Sequence, residues 1–231
     1  MSALAAPKLQ LVYFGVRARA EAPRMILHYG GVPYTEETCQ SFFGKPWGGP
    51  EGAKASGLAP FGQLPLLAVD GRVLGQTAAI NRYCAALCPA ALSLVPADPV
   101  DAAWCDGIFE AAQELSPVNP CVNAWRGEDF AAKKADFLAN TLPPRLANLN
   151  KILEGDHGGP FTTGAEVRYC DFSVYHQFDL CRLLEPAVFD PLPAVRRFMG
   201  AVEALPGVTA YLAARSDCVD IGVQPMLRDK A

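Results

Sequence analysis

The chain has 231 residues, 51% hydrophobic and 19% charged, a balance that suits a compact protein of one large or two small domains and excludes a disordered chain. A formal charge of -4 and a pI near 5.4 leave no basic face for a phosphate backbone, so no nucleic-acid partner is expected. No apolar run approaches the ~20 residues of a membrane helix, and MSALAAPKLQ is too short and weakly apolar for a secretory signal; the expectation is a cytoplasmic protein with no membrane association.

The first element is a strand, LQLVYF, which a turn at Gly15 leads into the helix RAEAPRMILHY, closed by Gly30 and Gly31. VPYTEET offers a second short strand, and the Gly/Pro-rich loop FFGKPWGGPEGAKASG follows with no period of its own. LPLLAV, the turn Asp70-Gly71 and RVLG make a hairpin, because Asp-Gly supplies the positive φ angles of a two-residue turn. QTAAINRYCAALC is then helical. The order β-α-β, loop, β-β-α has one crossover helix and predicts a small four-stranded α/β domain over residues 8–89.

The proline-rich CPAALSLVPADP places a linker at 90–99. Beyond it strand patterns vanish: DAAWCDGIFEAAQEL, FAAKKADFLANTLPPRLANLNKILEG, YCDFSVYHQFDLCRLL, PAVRRFMGAVEAL and VTAYLAAR all carry apolar residues at three- and four-residue spacing. An all-helical domain is expected over 100–225. The eight cysteines are scattered through a chain large enough to build its own core, which favours buried free thiols over a disulfide framework. Cys84 and Cys88 stand one helical turn apart, yet no second pair completes a zinc set, and no metal is expected. His176 lies near Asp171 and Asp179 in sequence, but there is no G-x-S-x-G nucleophile motif to make a triad of them.

Taken together, YFGVRARAE, FGQLPLLAVDG, GQTAAINRYCA and CDFSVYHQFDL resemble the cytosolic glutathione transferases, most closely the sigma class, from about Lys8 to about Arg215. The resemblance implies a thioredoxin-like N-terminal domain, an all-α C-terminal bundle, and a homodimer with one glutathione site per subunit and glutathione as co-substrate. It also implies roles for particular residues. Tyr13 matches the catalytic tyrosine, whose hydroxyl donates to the glutathione thiolate, and Arg19 adds positive potential at the start of the first helix. In GQLP, with Gly62 and Gln63, the bond before Pro65 is expected to be cis, presenting the backbone of Leu64 to the cysteinyl part of glutathione as an added strand edge. Gln76 and Thr77 match the helix start that holds the γ-glutamyl carboxylate. Trp47 matches an indole donor, with Lys45 and Lys54 as weaker candidates. Glu114 matches an acidic residue that reaches the ligand from the partner subunit, and Asp171 a helix-capping position.

Each residue also has an ordinary reading. Tyr13 could be a core aromatic, Arg17 and Arg19 solvated charges, Thr77 a simple cap, Glu114 a helix-face carboxylate. Glu21 is expected to support the helix N-terminus. Three positions depart from the family pattern: Ala18 stands where glycine is common, Gln63 where some sigma members have lysine, and Arg168 where Ser or Thr usually caps. SPVNPCVNAWRGEDF would line the pocket for a hydrophobic electrophile. The alternatives to conjugation are a glutathione-dependent prostaglandin-type isomerase and a non-catalytic structural protein like the lens crystallins derived from this class. A glutaredoxin-type thioltransferase is disfavoured, since no cysteine stands near the start of the first helix.

Overall fold

The computed structural model describes residues 6–215 and 221–223. Strands β1 (Leu9–Val12), β2 (Thr35–Glu37), β3 (Leu66–Val69) and β4 (Arg72–Gly75) form one sheet in the order β2-β1-β3-β4. β1 pairs parallel with β2 and antiparallel with β3, and β3 antiparallel with β4. The single parallel pair is the one joined by a crossover helix, α1 (Glu21–Tyr29), as parallel pairing requires. Asp70 (φ 50°) and Gly71 (φ 86°) both adopt the positive φ expected of the hairpin turn. The loop after β2 contains a short helix, α2 (Cys39–Phe43), that hydrophobic periodicity could not reveal in five residues; Thr38 caps it by accepting from the Ser41 amide at 3.0 Å.

α3 (Thr77–Leu87) completes the first layer, and among the described residues no strand follows Gly75. The bundle comprises α4 (Pro99–Gln113), α5 (Val118–Asn123), α6 (Gly127–Asp136), α7 (Leu142–Glu154), α8 (Tyr169–Leu184), α9 (Pro193–Glu203) and α10 (Val208–Ala214). The long helix read over 130–155 is α6 and α7 joined by a π-helical turn at Phe137–Thr141. Pro143 and Pro144, at the start of α7, lack the N–H groups that would continue the ordinary ladder. α5 falls within the segment expected to line the electrophile pocket; its Val118, Cys121 and Val122 are buried in the main core, where α5 packs on α8, which leaves the rest of the segment for that role.

α8 is the axis of the molecule, buried along nearly its whole length and packed against α1, α3, α4, α5 and α9. One apolar core therefore runs from the sheet into the bundle. The altered cap of α8 keeps its acidic half. The buried Asp171 accepts from the Arg168 amide at 2.7 Å and from the amide and hydroxyl of Thr162 at 3.0 and 2.6 Å. The Arg168 side chain does something a Ser or Thr could not: it reaches back to Ser93 in the linker and pairs with Glu166 at 2.9 Å. The seven described cysteines are all free and buried, and burial pushes Cys84 up to about 12 and Cys88 up to about 11, so neither is a thiolate at neutral pH. Among the described residues no group of three or more His, Cys, Asp and Glu could hold a metal, and no helix is long and apolar enough to cross a membrane.

Candidate active site

Sheet register brings the scattered motifs to one place. Val12 pairs with Leu66, and Leu66 with Gly75, so the next residues outward, Tyr13 after β1, Leu64–Pro65 before β3 and Gln76 after β4, share one end of the sheet. Trp47 comes from the long loop to pack, with Leu64, against the small cluster that holds Val12 and Leu66, and its ring meets Phe14 edge-on at 6.5 Å. Lys54 lies over the Trp47 ring at 6.0 Å, whereas Lys45 turns away to Ser56 at 3.0 Å.

Tyr13 is buried, and its hydroxyl oxygen accepts the backbone N–H of Arg19 at 3.3 Å. Burial raises its pKa above the ordinary 10, more than the Arg19 amide and the charges of Arg19 and Arg24 lower it. The phenol therefore stays protonated at neutral pH. Its oxygen is occupied by an incoming donor while its own proton has no acceptor among the described residues. The group is set up to donate outward. The Arg19 side chain is exposed and makes no ion pair among the described residues.

The loop that carries Arg19 is held by residues the sequence reading missed or misassigned. Arg24, buried on α1, donates to the carbonyls of Val16 (2.8 Å), Arg17 (3.3 Å) and Phe14 (3.5 Å). Glu36 of β2 braces its other edge with contacts of 2.7 and 3.0 Å. Glu21 does more than favour the N-terminus of α1: it is fully buried and accepts from Arg215 at 2.7 Å and from the Tyr211 hydroxyl at 2.8 Å. Arg17 is not solvated either, since it is buried and pairs with Asp179 at 3.4 Å. The one available signal was a charge at Arg24 inside the otherwise apolar run around Met25, Ile26 and Leu27, since a buried charge requires a partner. Ala18, at φ 34°, occupies the region where a side chain costs energy and glycine does not.

The opposite rim is open. Leu64–Pro65 is cis, as the resemblance implied, and neither the N–H nor the C=O of Leu64 has a hydrogen-bond partner among the described residues. Gln63 and Gln76 are both exposed and meet side chain to side chain at 3.3 Å. Gln76 itself is held at φ 73°, the kind of strained conformation that concentrates at ligand sites. Thr77 is the first residue of α3, and no side chain among the described residues caps that helix, which leaves its N-terminal amides open to an anion. The structure thus brings Tyr13, Arg19, Trp47, Gly62, Gln63, Leu64, Gln76 and Thr77 to one end of the sheet. Glu114 is not among them: it ends α4, is largely exposed, and pairs with Arg145 of the same chain at 3.4 Å.

A four-stranded layer of thioredoxin type continuing into an all-α bundle, with a tyrosine at the end of the first strand and a cis-proline facing it, defines a two-domain protein of the glutathione transferase fold. A family model described as glutathione S-transferase, N-terminal domain, matches residues 18–87, and one described as glutathione S-transferase, C-terminal domain, matches residues 117–215. Together they span most of the chain, which belongs to the glutathione S-transferase family. Glutathione S-transferase 1 of Ascaris suum is 27% identical over 213 residues, 90% of this chain and 97% of the relative. Hematopoietic prostaglandin D synthase of Gallus gallus is 29% identical over 214 residues with the same coverage. The solved structure of the glutathione S-transferase from Ascaris lumbricoides superposes with a TM-score of 0.71 at 25% identity, covering 91% of this chain and 98% of that one.

Proposed function

We propose that this chain is a sigma-class-like, cytoplasmic glutathione transferase that conjugates the thiolate of glutathione to hydrophobic electrophiles in detoxification. The observation that carries the reading is the Tyr13 hydroxyl, buried, kept protonated, and already accepting from the Arg19 amide. Its proton is then available to the glutathione sulfur. Free cysteine has a thiol pKa near 8.5, so lowering it by about two units takes about 2.7 kcal/mol. One hydrogen bond to a charged group contributes roughly 1.5 to 3 kcal/mol, which a tyrosine with Arg19 beside it can supply. The cysteinyl backbone would pair with the free N–H and C=O of Leu64, and the γ-glutamyl carboxylate would sit on the bare N-terminus of α3 with Gln76 and Thr77. The indole N–H of Trp47 is a further donor to the ligand.

The division into a glutathione-binding domain (8–89), a linker (90–99) and a helical domain (100–225) follows from the same reading. The working unit is a homodimer. Phe61, 60% exposed on the turn that carries Gly62 and Gln63, leaves an apolar ring uncovered beside the site, as a surface covered by a second subunit would. Glu114 of one subunit would exchange Arg145 for the α-amino group of glutathione in the other. Isomerisation of a lipid peroxide is the second reading, favoured by the similarity to hematopoietic prostaglandin D synthase. The test is calorimetric titration with glutathione alongside turnover of a broad electrophile panel and a lipid peroxide. Binding with turnover of the panel is expected; binding without turnover of anything would leave a non-catalytic protein of this fold.

A further inference from the structure

Two residues bracket the turn at Ala18–Ala20 that sets the Arg19 amide: Arg17 before it and Glu21 after it. Both are gripped by the helical half of the molecule, and by the same pair. Asp179 of α8 binds Arg17 at 3.4 Å through Oδ2, and that same oxygen receives Arg215 at 2.6 Å. Arg215, immediately after α10, extends its other nitrogen to Glu21 at 2.7 Å. The four side chains form a chain of alternating charge, Arg17, Asp179, Arg215 and Glu21, with Arg182 on the second Asp179 oxygen at 2.8 Å and Tyr211 on the second Glu21 oxygen at 2.8 Å. Arg17, Glu21 and Asp179 are buried, and the Arg215 side chain is 10% exposed.

A generic brace between two domains could join any two surfaces. This one closes on the residues flanking a single turn, and that turn contains Ala18 at φ 34°, a conformation that persists only when its surroundings impose it. We propose that Asp179 and Arg215 are positioning residues for thiol activation: by fixing Arg17 and Glu21 they fix where the Arg19 amide stands against the Tyr13 hydroxyl, so the helical domain tunes the acidity of glutathione bound to the other domain. The proposal rests on the assignment of Tyr13 as the thiolate donor. Neither residue touches the ligand; they act through the turn. Buried charge pairs leave little net stability when intact and cost heavily when one partner is removed, so conservative variants are the informative ones.

The experiment compares the full-length parent, Asp179→Asn, Arg215→Lys and Tyr13→Phe. For each, the thiolate absorbance of bound glutathione is followed against pH, with kcat and KM for glutathione and a melting curve. Asp179→Asn and Arg215→Lys are expected to raise the bound thiol pKa by about half a unit to one unit, which lowers kcat about three- to tenfold below that pKa and is recovered by raising the pH. KM for glutathione should stay within about twofold, because the Leu64 and Thr77 contacts are untouched. A folded variant of either kind with an unchanged thiol pKa and pH profile would overturn the proposal and leave the pair as an interface brace. If both variants fail to fold, the pair is a folding element and the proposal falls. A Tyr13→Phe variant with unchanged thiol pKa would bring down the functional reading itself, an outcome distinct from failure of the two helical-domain variants alone.

Discussion

The two ends of the candidate site are built in opposite ways. Around Tyr13 the loop is held by charged side chains, most of them buried: Arg24 spans three loop carbonyls, Glu36 braces Arg24, and Asp179 and Arg215 hold the turn from the other domain. Around Gln63, Gln76 and Thr77 the surface is open, and what it offers is backbone: the groups of Leu64, unpaired among the described residues, and the start of α3, which no described side chain caps. The difference matches the two tasks that the proposed function sets. Stabilising a charge on sulfur depends on a donor that does not have to reorganise, which a buried and over-determined loop provides. Holding a flexible peptide requires an edge that ligand can reach, and backbone groups supply one that side-chain substitution barely alters.

The contrast predicts that substitutions at the braced end cost most. Arg24→Ala should lower unfolding free energy by about 3 kcal/mol or more, because it leaves the carbonyls of Val16, Arg17 and Phe14 without their donor and Glu36 without its partner; the denaturant midpoint measures it, and a loss under about 1 kcal/mol would show the clamp to be incidental. His176 makes the same region sensitive to acid. Burial and the charges of Arg215 and Arg17 push its pKa down to about 4, against the pull of Glu21 and Asp179, and neither ring nitrogen has a hydrogen-bond partner among the described residues. A pKa held below the ordinary 6.5 gives stability that is present above pH 6.5 and lost as pH falls toward 4. Between pH 7 and 4.5 this one group should remove about 2 to 3 kcal/mol, at 1.36 per unit. His176→Gln should fall correspondingly less over that range, and parallel pH curves for the two proteins would contradict the assignment. Asp171 runs the other way: burial raises it to about 6, so its contribution is present below 3.8 and fades as pH rises through 6.

At the open rim effects should be small. Gln63→Lys restores the charge some sigma members carry, and at an exposed position it should tighten glutathione binding by about two- to fivefold, an advantage that salt erodes; a salt-independent gain would point to a rearranged rim. Smallest of all, Ala18→Gly should be neutral or stabilise by up to about 1 kcal/mol, since relief at φ 34° offsets the entropy of glycine. A clear loss of thermal stability there would show that the turn is not strained.

What the sequence made legible follows the range of the interactions. The strand, turn and helix at the start, the Asp-Gly hairpin, the cis-proline and the helix start at Thr77 are local patterns, and the structure joins them at one end of the sheet. The bracing was illegible because its partners lie far apart in the chain: Arg17 and Asp179 are separated by 162 positions, Glu21 and Arg215 by 194. No local period marks such pairs. The helices overlooked, α2 and α5, have five and six residues, too few for a 3.6-residue period to show.

In the proposed function the Tyr13 hydroxyl, placed by the Arg19 amide, lowers the thiol pKa of bound glutathione. The direct measurement is the thiolate absorbance of glutathione bound to Tyr13→Phe, titrated against pH beside the parent. The substitution keeps the ring and its packing while removing the one proton aimed at sulfur. The pKa of the bound thiol should rise by one to two units, with turnover at neutral pH down about 10- to 100-fold, recovered at high pH, and with glutathione affinity and folding retained. An unchanged thiol pKa in a folded, glutathione-binding Tyr13→Phe would contradict the account and move the activating role to Arg19.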